Sequence, residues 1–345
     1  MKVILKCGVI FIFFFLIIPN QGSAYIVDGV DGYTIEQLEE DLKDINKQFG
    51  NNLIIKQIGT SHFQQPIWAI KLGKGEKSIL LIGAHHGREW ITSNMLMVML
   101  ERYADAYQHK KKIGNFDSNI FDKVSIWFVP MLNPDGVDIQ QGKLPVQNKR
   151  DFIFMNDGSL NFKRWKANGI GIDLNRQYPS GWQDVPGSPF PSYKGYKGKR
   201  PFEAKEVQAV VRFIEEINPM SAIAYHSAGQ EIFWQYGARQ NIVRDYFLAT
   251  NLAELTSYSL SIPPEEAVGG GFTDWFIEEY GRPAFTLELT DFRQESNPPI
   301  RKLWKEWQRN RLVGIYLASE MANWETQKKV VNRKTTISGE LGSPH

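Results

Sequence analysis

The chain alternates short apolar runs with segments of helical spacing, and this alternation limits the folds that it can adopt. The apolar runs are rich in β-branched residues and several are apolar on both faces, which is typical of strands in a covered sheet. The predicted strands are Leu53–Ile58, Ile67–Leu72, Ser78–Gly83, Val124–Val129, Ser221–Tyr225 and Ala284–Leu289. The predicted helices are Thr34–Phe49, Ile91–Tyr107, Glu203–Ile217, Ile242–Ser257, Phe272–Glu279 and Pro298–Met321. We therefore expect an α/β fold in which a mixed, mostly buried β-sheet is flanked by helices on both faces.

The predicted elements belong to a single domain, because no linker or internal repeat separates them. Between two of the strands, the region Leu132–Lys199 is rich in Gly, Pro, Asn and Tyr and predicts extended loops over a binding face. The sequence predicts a removable N-terminal segment of residues 1–24, a folded domain of residues 25–322 and a polar C-terminal tail of residues 323–345.

The N-terminus has the three-part pattern of a secretory signal peptide. Lys2 and Lys6 precede the apolar run Val9–Ile18, and a polar break and small residues follow up to Ala24. The apolar run is shorter than the roughly 20 residues of a spanning helix. We expect cleavage after Ala24, a mature chain that begins at Tyr25, and a secreted protein that has no contact with the membrane after cleavage. An uncleaved N-terminal anchor is the alternative.

The predicted mature chain has balanced charge and no cysteine. The whole chain has 40 Lys and Arg and 38 Asp and Glu, and residues 1–24 contain two of the lysines and none of the acids. A balanced surface argues against nucleic acid or an anionic membrane as the main partner. The single cysteine, Cys7, lies in the predicted signal peptide. Any metal must therefore be held by His, Asp or Glu.

A His-x-x-Glu sequence follows the predicted strand Ser78–Gly83 and leads into a helix. His86 and Glu89 are three residues apart across this turn, so their side chains can converge on one point. An imidazole and a carboxylate suit zinc. The pattern alone is common, and its place at a strand end favours a metal site. His85 competes for the same role, but strand alternation directs it and His86 to opposite sides.

Two other strands offer the groups that a catalytic metal site still needs. A third protein ligand is required, and His226, which ends the strand Ser221–Tyr225, is the candidate; a buried, hydrogen-bonded histidine is the alternative. Metal-assisted hydrolysis also needs a base that takes the proton of the attacking water. Glu288 is a carboxylate in the apolar strand Ala284–Leu289, where burial is expensive without a function or a structural partner.

Several motifs, in chain order, resemble those of the zinc metallocarboxypeptidase family. They are His86-x-x-Glu89, Asn133-Pro134-Asp135-Gly136, Gly171-Ile172-Asp173-Leu174-Asn175-Arg176, His226-Ser227, Gly269-Gly270-Gly271-Phe272-Thr273-Asp274-Trp275 and Phe285-Thr286-Leu287-Glu288. The resemblance covers about residues 33–321 and implies that residues 25–322 form a zinc peptidase catalytic domain. It implies one Zn²⁺ per chain, with His86, Glu89 and His226 as ligands and Glu288 as general base.

The resemblance also implies roles for a segment between the ligands. Asp173 would accept the hydrogen bond that fixes the ring of His86, as ligating histidines generally require. Asn175 and Arg176 would hold a carboxylate of the substrate, a task that suits the planar fork of arginine. The expected partner is therefore a peptide.

Two departures from the family pattern concern substrate binding. Lys166, in Trp165-Lys166-Ala167-Asn168, replaces the usual arginine that polarises the substrate carbonyl; lysine keeps the charge but loses the fork, and Arg164 is an alternative. Glu266 replaces a tyrosine of digestive members and would repel an ordinary C-terminal carboxylate. Thr273, at the specificity position, is neither basic nor acidic.

These departures and the segment Tyr225-His226-Ser227-Ala228-Gly229-Gln230 are more similar to the bacterial γ-D-glutamyl-meso-diaminopimelate peptidase I branch. That branch cleaves the isopeptide-like bond after D-glutamate in cell-wall stem peptides. We therefore expect a secreted or wall-associated peptidase that acts on peptidoglycan stem peptides. One alternative is a secreted metallocarboxypeptidase that removes ordinary C-terminal residues, and another is a non-catalytic wall-binding module.

Overall fold

The structure is a computed structural model that describes residues 25–145, 149–237 and 241–324. The predicted signal peptide, residues 1–24, and nearly all of the predicted tail, residues 323–345, lie outside the described residues, as does the side chain of Glu266. The domain bounds therefore stay predictions. Among the described residues, no helix combines the length and the apolar character needed to cross a bilayer.

An eight-stranded mixed sheet forms the centre of the fold. Its strands are β1 Leu53–Thr60, β2 Pro66–Leu72, β3 Lys77–Ile82, β6 Val124–Val129, β7 Ala222–Ser227, β8 Glu231–Phe233, β9 Ser259–Leu260 and β10 Ala284–Leu289, while β4 Lys112–Ile113 and β5 Phe116–Asp117 form a separate ribbon. The strand order in the sheet is β1-β2-β6-β3-β7-β10-β8-β9. The four central strands, β6, β3, β7 and β10, are parallel, and β2 and β8 flank them in the antiparallel direction.

Helices cover both faces of the sheet. They are α1 Ile35–Phe49, α2 Ile91–Gln108, α3 Pro134–Gln140, α4 Lys149–Met155, α5 Lys205–Ile217, α6 Ile242–Thr256, α7 Phe272–Tyr280 and α8 Leu303–Asn310, and residues 313–324 are also helical. Strand alternation divides the core between the two faces. In β3, Ile79 and Leu81 pack into the cluster under α1 and α2, whereas Leu80 and Ile82 pack into the cluster under α5 and α7. The predicted fold class is confirmed.

The predicted helix Pro298–Met321 is wrong at its start and in its middle. Each proline of Pro298-Pro299 disfavours helical backbone in the residue before it. A 3-10 turn, Ile300–Lys302, follows, and the α-helix begins at Leu303. It also breaks after Asn310. At the break the hydroxyl of Tyr103 donates a hydrogen bond to the carbonyl of Arg311 and accepts one from the N–H of Ile315, at 2.9 and 3.2 Å. A side chain from α2 thus replaces the hydrogen bonds of a continuous helix.

The region Leu132–Lys199 is less irregular than predicted, because α3 and α4 lie within it. Asn133 caps α3 by accepting a hydrogen bond from the N–H of Gly136 at 2.9 Å, and Pro134 occupies the first turn. Both are ordinary signals of a helix start. The rest of the region consists mainly of loops and short 3-10 turns, and it crosses the edge of the sheet at which β3, β7 and β10 end.

Candidate metal centre

Three side chains converge at the carboxyl ends of the parallel strands. Oε1 of Glu89 lies 2.9 Å from Nδ1 of His86, and Oε2 lies 2.9 Å from Nδ1 of His226. The two histidine Nδ1 atoms are 3.1 Å apart. All three residues are buried, and among the described residues they form the group of His, Asp and Glu side chains that could hold a metal ion.

The backbone places these residues by two independent features. His86 precedes a 3-10 turn, Gly87–Glu89, that leads into α2, so Glu89 is directed back toward His86. This turn packs so closely on α3 that a Cβ atom on Gly87 would lie only 2.2 Å from the carbonyl oxygen of Gly136. His226 comes from the end of β7, the neighbour of β3 in the sheet. A tight glycine contact and strand order together bring the three side chains to one point.

The donor set fits a zinc ion. Bonds of 2.0–2.1 Å in tetrahedral geometry place the ligand atoms of one zinc about 3.3 Å apart, close to the distances of 2.9–3.1 Å between the atoms of His86, Glu89 and His226. Two imidazoles and a carboxylate are also a known catalytic set that leaves a position open. The residues present therefore suit this metal.

Asp173 lies behind His86. Its Oδ1 is 3.2 Å from Nε2 of His86, so the imidazole can donate its proton there and keep the Nδ1 lone pair directed at Glu89 and His226. Burial would raise the pKa of Asp173, but Lys166 and His86 hold it well below its usual range. The pKa of Glu89 is also well below its usual range, since His86 and His226 outweigh its burial. Both carboxylates are therefore ionised at neutral pH.

His85 does not belong to this group. Its side chain is buried, its Nε2 lies 3.4 Å from the hydroxyl of Tyr178, and its ring stacks on that of His226 at 5.3 Å between centroids. Burial and the neighbouring His226 and His86 lower its pKa well below the usual value, so His85 is neutral. His85 thus lies outside the group of three converging side chains. Both histidines follow the end of β3, and Ala84 between them and the strand has a φ of 45°, so the turn and not strand alternation separates their side chains.

Glu288 lines the same cavity as the three candidate ligands. It lies near the end of β10 and is paired with His226 in the neighbouring strand β7. Burial, together with the negative charge of Glu89, raises the pKa of Glu288 to about 7, against the opposing effect of His226 and Lys166. A carboxyl group with a pKa near neutrality can both accept and release a proton.

The two candidates for a carbonyl-polarising cation are placed differently. The ammonium of Lys166 lies 3.4 Å from Oδ2 of Asp173 and faces the cavity. The guanidinium of Arg164 instead donates to the side chain and carbonyl of Asn156 and to Asp157, and lies over the ring of Tyr193. Because Arg164 is engaged there, the geometry favours Lys166.

A buried acid supports the loop that carries Lys166 and Asp173. Within this loop, Oδ1 of Asn168 accepts hydrogen bonds from the N–H groups of Ile170 and Ile172, at 3.1 and 2.9 Å. The Asn168 amide nitrogen donates to Oε2 of Glu206, on α5, at 3.2 Å. Glu206 therefore anchors residues 166–173 from behind.

The cavity has a volume of about 520 Å³, and the predicted substrate-binding residues Asn175, Arg176 and Thr273 line it. Oδ1 of Asn175 accepts a hydrogen bond from the N–H of Phe272, so its amide N–H groups are the donors that it can offer. The hydroxyl of Thr273 lies 2.9 Å from that of Thr286. The side chain of Glu266 lies outside the described part, and its role stays a prediction.

Besides Asp274, which lies in the motif of residues 269–275, the cavity is lined by four charged residues that were not predicted: Arg88, Glu231, Arg293 and Glu295. Arg293 forms an ion pair with Glu231, and Glu295 forms ion pairs with Lys194 and Arg88. Arg88 could have been found, since it lies inside the His-x-x-Glu sequence. The other three are placed by strand pairing and by a loop after β10, which carry no local sequence signal.

Comparison with known proteins agrees with this geometry. Gamma-D-glutamyl-L-diamino acid endopeptidase 1 of Lysinibacillus sphaericus is 30% identical over 300 residues, which cover 85% of this chain and 73% of that protein. Carboxypeptidase A1 of Sus scrofa is 25% identical over 296 residues, covering 79% of this chain and 66% of that protein. The crystal structure of thrombin activatable fibrinolysis inhibitor shares the fold, with a TM-score of 0.70 at 19% identity, and the match covers 85% of this chain and 75% of that one.

The family itself follows from a match over most of the chain. Residues 38–313 match the family model described as zinc carboxypeptidase, Peptidase_M14. This range contains the three converging side chains, Glu288 and Lys166. The chain therefore belongs to the zinc carboxypeptidase family and is a zinc metallopeptidase of the metallocarboxypeptidase type.

Proposed function

We propose that this chain hydrolyses the γ-D-glutamyl–diaminopimelate bond of peptidoglycan stem peptides, with one zinc ion held by His86, Glu89 and His226. The observation that carries the proposal is the cavity beside these residues, whose walls carry both cations and acids, among them Arg176 and Glu231. A stem peptide also presents both signs of charge, since it has several carboxylates and an ammonium. The diamino acid named in the description of the Lysinibacillus sphaericus relative supports the same substrate class.

Each residue near the scissile bond has a separate role in the proposed hydrolysis. Zinc, when bound, supplies a Lewis acid that polarises the carbonyl group and makes water more acidic. The carboxylate of Glu288 accepts the proton of the attacking water, and the carboxylic acid then returns it to the leaving amine as the C–N bond breaks. The ammonium of Lys166 stabilises the negative charge that grows on the carbonyl oxygen. Asp173 keeps the ring of His86 in its ligating orientation.

Two groups are proposed to hold the leaving residue by its α-carboxylate. Arg176 and Asn175 both line the cavity, and they offer a guanidinium and amide N–H groups as donors. Arginine binds a carboxylate through two parallel hydrogen bonds, which fixes its orientation. Thr273 contributes an uncharged wall. From the sequence, we propose that Glu266 disfavours an ordinary leaving residue with an apolar side chain.

We also propose that the chain is exported by residues 1–24 and acts as a catalytic domain of residues 25–322, with residues 323–345 as a tail. Export places the enzyme beside the cell wall, its proposed substrate.

A second candidate function is release of ordinary C-terminal residues by a secreted carboxypeptidase. The similarity to carboxypeptidase A1 of Sus scrofa favours it, as does an arginine placed to hold a terminal carboxylate. The metal ligands and the base would be the same in both functions. The substrate alone distinguishes the two.

Digestion of defined peptides tests this choice. Zinc-loaded enzyme is incubated with L-alanyl-γ-D-glutamyl-diaminopimelate and, separately, with a blocked dipeptide that has an apolar C-terminal residue, and products are identified by mass spectrometry. We expect release of diaminopimelate and slow cleavage of the dipeptide. The Glu288→Gln variant serves as a control for contaminating peptidases. Rapid trimming of the dipeptide without cleavage of the γ-bond would establish the second candidate instead.

A further inference from the structure

We propose that Glu231 and Arg293 bind the distal amino and carboxyl groups of a diamino diacid residue on the leaving side of the scissile bond. In this assignment Glu231 binds the ammonium and Arg293 the carboxylate. The inference deepens the proposed function and rests on it. It assigns the selection of the leaving residue to an ion pair on the cavity wall.

Strand register places Glu231 next to the proposed base. In the sheet, Glu288 of β10 is paired with His226 of β7 on one side and with Glu231 of β8 on the other. Directly paired residues point to the same face of a sheet, so the three side chains form a row directed into the cavity. Neighbouring strands lie about 4.8 Å apart. Glu231 therefore lies one strand beyond the base, on the side away from the candidate metal ligands.

The distance to Glu231 suits the length of a diamino diacid side chain. Its distal centre lies four bonds beyond the α-carbon, a reach of about 5 Å for bonds of about 1.5 Å in a zigzag chain. This reach equals about one strand spacing of 4.8 Å. The methylene groups of the substrate would pass Phe233 and Thr286, which are paired in β8 and β10 and line the same cavity.

The charges of the pair complement a zwitterion. The guanidinium of Arg293 contacts the carboxylate of Glu231 and also donates to the carbonyl of Gly229 at 3.3 Å. The Arg293 side chain is 65% exposed and that of Glu231 is 22% exposed. Because Arg293 is mostly exposed to solvent, the pair contributes little stability and can separate when a ligand brings an ammonium to Glu231 and a carboxylate to Arg293.

Other acids on the cavity wall are engaged elsewhere. Oδ2 of Asp274 accepts a hydrogen bond from the N–H of Gly269 at 2.8 Å, in the loop before α7. Glu295 is paired with Lys194 and Arg88. Glu231 is thus the described acid on the cavity wall that combines a position beside the base with a largely exposed partner.

Three stem tripeptides separate the two charges. Each is L-alanyl-γ-D-glutamyl-X, where X is meso-diaminopimelate, L-lysine or L-norleucine, and kcat/KM is measured for each with zinc-loaded enzyme. The lysine-to-norleucine ratio reports the distal ammonium, and the diaminopimelate-to-lysine ratio reports the distal carboxylate. A hydrogen-bonded charge of this kind corresponds to a factor of about 10 to 100.

We expect Glu231→Gln to lower the lysine-to-norleucine ratio by about 10- to 100-fold and Arg293→Gln to lower the diaminopimelate-to-lysine ratio by a similar factor. The matched control is Glu216→Gln. Glu216 lies on α5, outside the cavity, and its exposed carboxylate is paired with Lys56 of β1. Both ratios should stay at the wild-type value in this control. Unchanged ratios in Glu231→Gln and Arg293→Gln would overturn the inference.

The same measurements distinguish failure of the proposed function from failure of this inference. If wild-type enzyme leaves the γ-linked peptides intact and cleaves α-linked peptides, the proposed function is wrong. The three residues X are then compared at the C-terminus of α-linked peptides, where the same two ratios report on Glu231 and Arg293. A preference that depends on both residues would support the inference there, and its absence would overturn it.

Discussion

The buried acid Glu206 makes the stability of this protein depend on pH in a direction opposite to that of most acids. Its side chain is fully buried, and burial together with the charge of Asp135 raises its pKa from 4.5 to about 7. The N–H of His62 and the amide of Asn168 oppose this shift by donating hydrogen bonds to the carboxylate. At a pH between 4.5 and about 7, the folded protein therefore holds a proton on Glu206 that the unfolded chain releases.

The sign and size of the effect follow from linkage. An acid with a raised pKa in the folded state stabilises the fold below its unfolded pKa, and this stabilisation is lost as the pH rises through the folded pKa. The rise of the Glu206 pKa from 4.5 to about 7 corresponds to about 3 kcal/mol, at 1.36 kcal/mol for each pH unit. Most of this loss falls between pH 5 and pH 8.

The Glu206→Gln variant isolates this effect, because glutamine stays neutral at every pH. The free energy of unfolding is measured by urea denaturation at pH 5 and pH 8 for the variant and for wild type. We expect the variant to gain about 2.5 kcal/mol relative to wild type between the two pH values, a difference from which other titrating groups cancel. The same relative stability at both pH values would refute the assignment of a raised pKa to Glu206.

Four further predictions concern the site and export. Glu288→Gln should retain zinc and lose about 10²- to 10⁴-fold in kcat, measured with metal-loaded protein; near-normal turnover would contradict its role as base. Asp173→Asn should weaken zinc affinity about 10- to 100-fold in competition with a chelator. Lys166→Ala should lower kcat about 10²- to 10³-fold, whereas Arg164→Ala should have little effect; the reverse order would exchange their roles. Sequencing of the secreted protein should give Tyr25 at the N-terminus, and recovery of an uncut chain in the membrane fraction would support an anchor.

The central strands and most of the helices could be predicted because their residues carry the pattern locally. The alternation in β3 between the two apolar clusters is readable in its sequence, since both faces are covered. The break after Asn310 could not be predicted, because its cause is the hydroxyl of Tyr103 on another helix. The short strand β8 was also missed, because a strand of three residues has no resolvable period.

Some residues of the candidate site could be predicted from the sequence and others could not. His86 and Glu89 are neighbours in sequence, and His226 and Glu288 each end an apolar strand, so local patterns and the family resemblance found them. Glu231 has no such signal. It faces the cavity because β8 runs antiparallel to β10 in the register that places it beside Glu288, and this pairing joins distant parts of the chain. Residues that act through tertiary pairing need the structure to be found.

Metal content is the most direct test of the proposed centre. Purified wild-type protein and the variants His86→Ala, His226→Ala and His85→Ala are checked for folding by circular dichroism, and their zinc is quantified by plasma mass spectrometry. His85 is the matched control, since it is a buried neighbour that lies outside the group of three converging side chains. We predict one zinc per chain in wild type and in His85→Ala, and loss of zinc in His86→Ala and His226→Ala. A folded His86→Ala protein that keeps its zinc, beside a His85→Ala protein that has lost it, would contradict the account.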